Sequence, residues 1–184
     1  MKSLLYLTAI ASALLMPTLV SAQEASKSLV AYYSWDDSTR YAAQIIASAT
    51  NSDLFEIVPQ KAYPTDLKAC VEQSKAENEA NIHPAINDLP PNIAQYNKIY
   101  IGSPNWWKTM APPVATFIEK VGSFEGKTVF PFVTHGTGGV QNYENDVRTM
   151  VDGAKGKTGV AGHWFGDDIK KLDDEIIEWA NNTK

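Results

Sequence analysis

The sequence lacks the features that mark several classes of protein. Cys70 is the single cysteine in 184 residues, so no disulfide bond can form within the chain. The formal net charge is −5 and there is no run of basic residues, which argues against nucleic acid as a partner. Residues 34–39 hold neither the glycine nor the lysine of a P-loop, and Ser34 lies outside any Gly-x-Ser-x-Gly sequence. A nucleoside-triphosphate site and a serine hydrolase are therefore disfavoured.

The first 22 residues have the pattern of a secretory signal peptide. Lys2 precedes an apolar run, and Val20-Ser21-Ala22 is a small-residue cleavage site. A membrane anchor fits less well, because Thr and Pro residues interrupt a stretch that is short for a bilayer span. We predict a signal peptide over 1–22 and one domain over 23–184. Cleavage leaves a mature chain of 162 residues with a net charge of −6. This length is sufficient for one domain with a complete core, and we predict no stable membrane insertion after cleavage.

An export signal without a disulfide framework predicts a periplasmic or secreted bacterial protein. The mature sequence alternates short apolar segments with stretches that repeat apolar residues at helical spacing. This alternation predicts an α/β fold, in which a five-stranded parallel sheet has helices on both faces. The predicted strands are 29–33, 54–58, 98–102, 128–134 and 158–164. Ligands of such sheets bind beyond the carboxyl ends of the strands.

The segment 34–39, after the first strand, is a candidate anion site. Ser34, Ser38 and Thr39 carry hydroxyl groups beside the amino end of the next predicted helix, where free backbone amides favour phosphate. An ordinary helix cap, with Asp37 or Ser38 at the cap position, explains this segment alone at least as well. Asp36 and Asp37 would also place two negative charges in the turn.

The segment 102–113, after the third strand, contains two adjacent tryptophans. Trp106 and Trp107 follow Pro104 and Asn105, and neighbouring side chains point in different directions. One indole ring can therefore serve as a platform for a flat aromatic ligand. The alternative is that one ring packs under the loop and the other covers a neighbouring helix.

The segment 134–139, after the fourth strand, is rich in glycine. Thr134, His135, Gly136 and Gly138 lie where backbone amides can approach the polar edge of a planar heterocycle. A flexible connector is the competing interpretation. The three histidines of the chain lie in unlike contexts and predict no metal site, and His135 is as well explained by a solvated loop position.

These segments resemble the flavodoxin-like family, and in particular short bacterial flavodoxins. The resemblance covers the chain from about Leu29 onward. Gly102, Pro104, Trp106 and Trp107 match the family's Gly-x-Pro-x-Trp-Trp loop without change, and residues 134–138 match its Thr-x-Gly-x-Gly loop. The family implies a flavodoxin-like three-layer sandwich of strand order 2-1-3-4-5, bound FMN, and electron-transfer or FMN-dependent oxidoreductase activity. A redox partner protein or a small-molecule acceptor is implied with it.

The resemblance also assigns roles to the three segments. Ser34, Ser38 and Thr39 would hold the phosphate, and residues 104–107 would flank the isoalloxazine ring. Residues 134–138 would meet the polar rim of the ring. The departure is Asp36, Asp37 and Ser38, where the family has a hydroxyl, a glycine and an asparagine. A cofactor-free periplasmic binding or interaction module on the same fold is therefore kept as the alternative function.

Overall fold

The computed structural model describes residues 27–183, so the predicted signal peptide and its cleavage site lie outside the described residues. The strands within this range are β1 (Lys27–Tyr32), β2 (Asp53–Glu56), β3 (Tyr96–Trp106), β4 (Thr109–Met110), β5 (Thr128–His135), β6 (Lys157–Thr158) and β7 (Gly162–Phe165). The α-helices are α1 (Ser38–Thr50), α2 (Leu67–Glu79), α3 (Pro112–Val121), α4 (Tyr143–Gly153) and α5 (Asp173–Asn182). Short 3₁₀ helices cover Ile93–Gln95 and Gly166–Lys171.

The central sheet is parallel and has the order β2-β1-β3-β5-β6, with β7 also paired to β5. The predicted fold class is confirmed, with helices on both faces. Alternation along β1 explains the layers: Leu29 and Ala31 join the core under α3 and α4, whereas Val30 and Tyr32 join the core under α1 and α5. Within residues 27–183, no helix is both long and apolar enough to cross a membrane.

The sheet has seven strands, whereas five were predicted. The predicted strand 158–164 is divided into β6 and β7. Thr158 pairs with Val129, and Gly162 pairs with Phe132. The segment from β6 to β7 therefore has one residue more than the stretch of β5 that it faces, as in a β-bulge. Gly159 lies in the break against the Phe130 ring, where an added Cβ would approach the ring to 2.2 Å.

The third predicted strand is longer than expected and continues into the tryptophan segment. β3 runs to Trp106, and β4 returns antiparallel to it, with Trp106 paired to Thr109. Trp107 and Lys108 form the two-residue turn, and both have positive φ, 52° for Trp107 and 75° for Lys108. The predicted loop is therefore largely a β-hairpin.

The last helix begins later than the helical spacing of the apolar residues Ile169, Leu172, Ile176 and Trp179 predicts. Ile169 and Leu172 belong to the 3₁₀ segment and its end, and α5 begins at Asp173. Three acidic residues fill the first turn of α5, where the helix dipole favours negative charge. Asp167 and Asp168, which the same spacing predicts as caps of this helix, instead open the 3₁₀ helix, close to the edge of the sheet where β7 ends.

Candidate functional site

A cleft of about 380 Å³ lies at the carboxyl ends of β1, β3 and β5. Its volume is within the range of small-ligand pockets. The predicted site residues that line it are Ser38, Pro104, Asn105, Trp106, Trp107, Thr134, His135 and Gly136. The structure thus brings together residues of all three predicted segments, as expected where parallel strands end at one edge.

The other three predicted site residues lie outside this lining. Ser34 borders a neighbouring cleft, and its Oγ accepts a hydrogen bond from the Arg40 amide at 3.2 Å. Thr39 is fully buried, and its Oγ1 is 2.7 Å from Oγ1 of Thr134. Gly138 lies in the turn after β5 against the Gln141 side chain. Ligand binding by these residues stays a prediction.

Trp106 packs toward the core. Its ring meets Tyr33 edge-on at a centroid distance of 5.5 Å and Tyr63 at 5.0 Å. Burial raises the pKa of both tyrosines, and the Glu77 carboxylate, which accepts the Tyr63 hydroxyl, adds to the effect at Tyr63. These phenols therefore stay protonated, and the aromatic cluster is a fixed wall.

Trp107 lies at the rim of the cleft and is 41% exposed. Its Nε1 donates to Oγ of Ser74 at 3.0 Å, and Nζ of Lys75 is 5.8 Å from the ring centroid. The ring is thereby held against α2 by its edge. A tryptophan with φ of 52° is unusual, because the left-handed region is unfavourable for residues with a Cβ. Such local strain is found preferentially at binding sites.

Asn105 leaves one acceptor without a partner. Its Nδ2 donates to the Gly139 carbonyl and lies 3.4 Å from Oε1 of Gln141, which fixes the orientation of the amide. Its Oδ1 is buried and has no hydrogen-bond partner among residues 27–183. An unpaired buried acceptor is unfavourable, so an N–H donor that reached this oxygen through the cleft, which Asn105 lines, would stabilise it.

His135 also lines the cleft, at the end of β5. Its Nδ1 is 2.8 Å from the Gly136 carbonyl oxygen, so in the neutral ring Nδ1 carries the proton and Nε2 is an acceptor. The His163 ring lies beside it, at a centroid distance of 6.0 Å. Within residues 27–183, no group of three or more His, Cys, Asp or Glu side chains is placed to hold a metal ion.

One wall of the cleft comes from α2, which sequence reasoning did not assign to the site. The helix contributes Leu67, Cys70, Val71 and Ser74. These residues are three or four positions apart in the sequence, so they lie on one face of α2. This spacing could have indicated that the face contacts a ligand or the core. Asp66 begins this helix, as its Oδ1 accepts the Ala69 amide at 2.9 Å. The Cys70 thiol has a raised pKa, first through burial and then through Glu77.

The two aspartates of the first segment have different surroundings. Oδ1 of Asp36 accepts the Ser38 amide at 3.1 Å, and Asp36 lines the cleft together with Asp167. Asp37 instead pairs with Arg40, and its side chain is 76% exposed. The φ of Asp37 is 71°, which accounts for the glycine that the resembling family has there.

Comparisons with known proteins agree with this geometry. A protein-family model described as flavodoxin matches residues 27–183. A Bacteroides eggerthii protein described as a flavoprotein is 30% identical, with a TM-score of 0.68, over 82% of this chain and 98% of that chain. A similarly described Bacteroides uniformis protein is 30% identical, with a TM-score of 0.69, over 85% and 98%.

A flavoprotein of Lactobacillus acidophilus, solved in complex with FMN, is 24% identical with a TM-score of 0.66. The match covers 80% of this chain and 98% of that chain, and at this identity it shows the shared fold. A comparison with curated proteins found no match.

Proposed function

The chain belongs to the flavodoxin family, and from that premise we propose that its cleft binds the flavin ring of FMN and that the protein transfers electrons or reduces a small acceptor. The observation that carries the proposal is the pairing of an aromatic rim with an unpartnered acceptor in one cleft. Trp107 supplies the ring, and Asn105 supplies the buried oxygen. A planar heterocycle with an N–H group satisfies both.

The ring end of the cleft fits a flavin. Leu67 and Val71 of α2 are exposed apolar residues on the wall beside Trp107, and a bound ring would cover them. On binding, Asn105 would accept the ligand N–H, and the amide group would then have partners for both of its polar atoms. Bound flavin supplies the redox chemistry, while the protein sets its potential through stacking and hydrogen bonds.

His135 also offers a hydrogen-bonding group at the polar rim. With Nδ1 bonded to the Gly136 carbonyl oxygen, Nε2 of the neutral ring can accept a hydrogen bond from a ligand. The His163 ring lies beside it, at a centroid distance of 6.0 Å.

A cofactor-free binding or interaction module remains the alternative function. One observation favours it: the Asp36 carboxylate already holds the Ser38 amide at the amino end of α1, where a phosphate would bind. We also propose a periplasmic or secreted location and a redox partner protein or small acceptor. The leader pattern of residues 1–22 supports the location.

The test is a titration of the purified mature protein with FMN and with riboflavin, followed by quenching of flavin fluorescence. Saturable quenching that weakens in an Asn105→Ala variant is expected. Lys108→Ala, in the neighbouring turn, is the control and should leave the affinity unchanged. If neither flavin binds, the cofactor-free module replaces the flavin proposal.

Electron transfer is tested separately on the loaded protein. The holoprotein is reduced anaerobically, and a one-electron acceptor such as cytochrome c is added. Reduction of the acceptor at a rate that depends on holoprotein concentration is expected. If the protein binds flavin but reduces neither cytochrome c nor a quinone acceptor, the electron-transfer proposal is wrong and the flavin-binding proposal stands.

A further inference from the structure

The amino end of α1 is already occupied by the protein's own groups. We infer that Asp36 sets the ligand specificity of the cleft and makes it a site for a flavin with an uncharged tail, so that riboflavin binds at least as tightly as FMN. This inference rests on the proposed flavin function and names the class of flavin that the site takes. The geometry of the first turn carries it.

Three backbone amides at this helix end have partners. Asp36 Oδ1 accepts the Ser38 amide at 3.1 Å, and Ser34 Oγ accepts the Arg40 amide at 3.2 Å. The Tyr41 amide bonds to the Asp37 carbonyl at 2.9 Å. A phosphate binds at a helix end through free amides, so at the Ser38 or Arg40 amide it would have to displace the carboxylate or the hydroxyl.

The hydroxyl groups are engaged as well. Thr39 is fully buried and shares a hydrogen bond with Thr134, which joins the first segment to β5. The Ser38 hydroxyl lies 3.5 Å from the Gly166 carbonyl oxygen, at the outer limit of a hydrogen bond. Of the three predicted phosphate ligands, Ser38 alone lines the cleft, and its amide is the one that Asp36 holds.

The charges at this end do not favour an anion. Asp36 and Asp167 both line the cleft. The Arg40 guanidinium, the nearest arginine in sequence, is engaged by Asp37 on one side and by Glu56 at 2.5 Å on the other. These bonds to two carboxylates hold the cation in place and neutralise its charge.

A second group of charges borders the adjoining cleft around α1. Lys171 pairs with Asp168 at 2.5 Å, and Lys170 lies in the same lining. Lys170 therefore supplies one positive charge, whereas Asp36 and Asp167 supply two negative charges. The net charge at this end of the cleft is negative. A ribityl tail suits this environment better than a phosphate does, because its hydroxyl groups donate hydrogen bonds that carboxylates accept.

The size of the effect follows from Coulomb's law. Repulsion between two unit charges about 5 Å apart weakens binding by roughly 4-fold at a dielectric constant of about 80. At a dielectric constant of about 20, the same repulsion weakens binding by roughly 250-fold. A rim position lies between these limits. We therefore expect removal of the Asp36 charge to tighten FMN about tenfold.

The experiment compares both flavins on the mature protein and on two variants. Asp36→Asn keeps the side-chain shape and an oxygen for the Ser38 amide, but removes the charge. Glu125→Gln is the matched control, because Glu125 is exposed in the turn before β5, at the opposite end of the sheet, and the change in net charge is the same. Thermal unfolding checks that each variant is folded.

The expected result has three parts. In the parent protein, the Kd for riboflavin is equal to or below that for FMN. In Asp36→Asn, the Kd for FMN falls about tenfold while that for riboflavin changes less than about twofold, and in Glu125→Gln neither changes. Added salt should tighten FMN in the parent protein and should do so less in Asp36→Asn.

Other results overturn the inference in distinguishable ways. If the parent protein binds FMN ten or more times as tightly as riboflavin, the specificity is wrong but the flavin function stands. If both flavins bind equally and Asp36→Asn changes neither, Asp36 does not set the specificity. If no flavin binds to any of the three proteins, the proposed function falls and the inference falls with it.

Discussion

Alanine substitution of the two adjacent tryptophans should separate ligand binding from folding. Trp107 is held at the rim by one hydrogen bond to Ser74, and 41% of its surface is exposed. Trp106 is partly buried and packs edge-on against Tyr33 and Tyr63, against the core that lies beneath α3 and α4. We therefore expect Trp107→Ala to weaken flavin binding and Trp106→Ala to destabilise the fold.

The magnitudes differ enough to be distinguished. Loss of an aromatic platform costs about 1–3 kcal/mol of ligand binding, judging from base–aromatic stacking. Truncating Trp107 should lower the free energy of unfolding by only about 1–2 kcal/mol, since one hydrogen bond and a partly exposed ring are lost. Truncating Trp106 should cost about 3–5 kcal/mol of stability, or roughly 6–20 °C in Tm for a domain of this size.

Fluorescence titration with riboflavin and FMN gives the affinities, and thermal unfolding by circular dichroism gives the stabilities. Lys108→Ala is the control, because it places alanine at the other left-handed position of the same turn. If Trp107→Ala binds flavin within about twofold of the parent, the stacking energy invoked here is absent and the platform assignment is wrong. An unchanged Tm in Trp106→Ala would contradict its place in the core.

Three further outcomes are expected. Thr39→Val should lower the free energy of unfolding in urea by about 1–3 kcal/mol, because the buried hydroxyl of Thr134 loses its partner, and adding Thr134→Val should recover part of the loss. The folded protein at pH 8 should react far more slowly with a thiol reagent than the unfolded chain does. The reason is that burial raises the pKa of Cys70 and so reduces its thiolate fraction. Equal rates would contradict this prediction. Mass spectrometry of the exported protein should find Gln23 at its amino terminus, and uncleaved chain in the membrane fraction would refute the leader assignment.

The layers of the fold could be predicted from the sequence, because continuous apolar strands alternate with stretches of helical spacing. Residues 29–33 form a continuous apolar run, which predicts a strand buried on both faces, and the structure places Leu29 and Ala31 on one face and Val30 and Tyr32 on the other. The break between β6 and β7 was not visible in this way. It depends on one extra residue opposite β5 and on the fit of Gly159 against the Phe130 ring, and both are properties of the partner strand.

The tryptophan hairpin shows a different limit of sequence reasoning. Two-residue hairpin turns with positive φ are recognised by Asn-Gly or similar pairs, whereas here Trp107 and Lys108 occupy both positions. The segment was therefore predicted to be a loop. Its place at the carboxyl end of β3 was nevertheless predictable, and that place is what brings Trp107 and Asn105 to the cleft.

The charge of the first segment was predictable, but the directions of its two carboxylates were not. Asp36 and Asp37 are equivalent in a sequence, yet the Asp36 carboxylate accepts the Ser38 amide in the lining of the cleft, whereas Asp37 pairs with Arg40. Replacing both at once would combine the removal of a cleft charge with the release of Arg40. An increase in FMN affinity could then arise from either source. Single substitution of Asp36 removes this ambiguity, because Arg40 keeps both of its carboxylate partners.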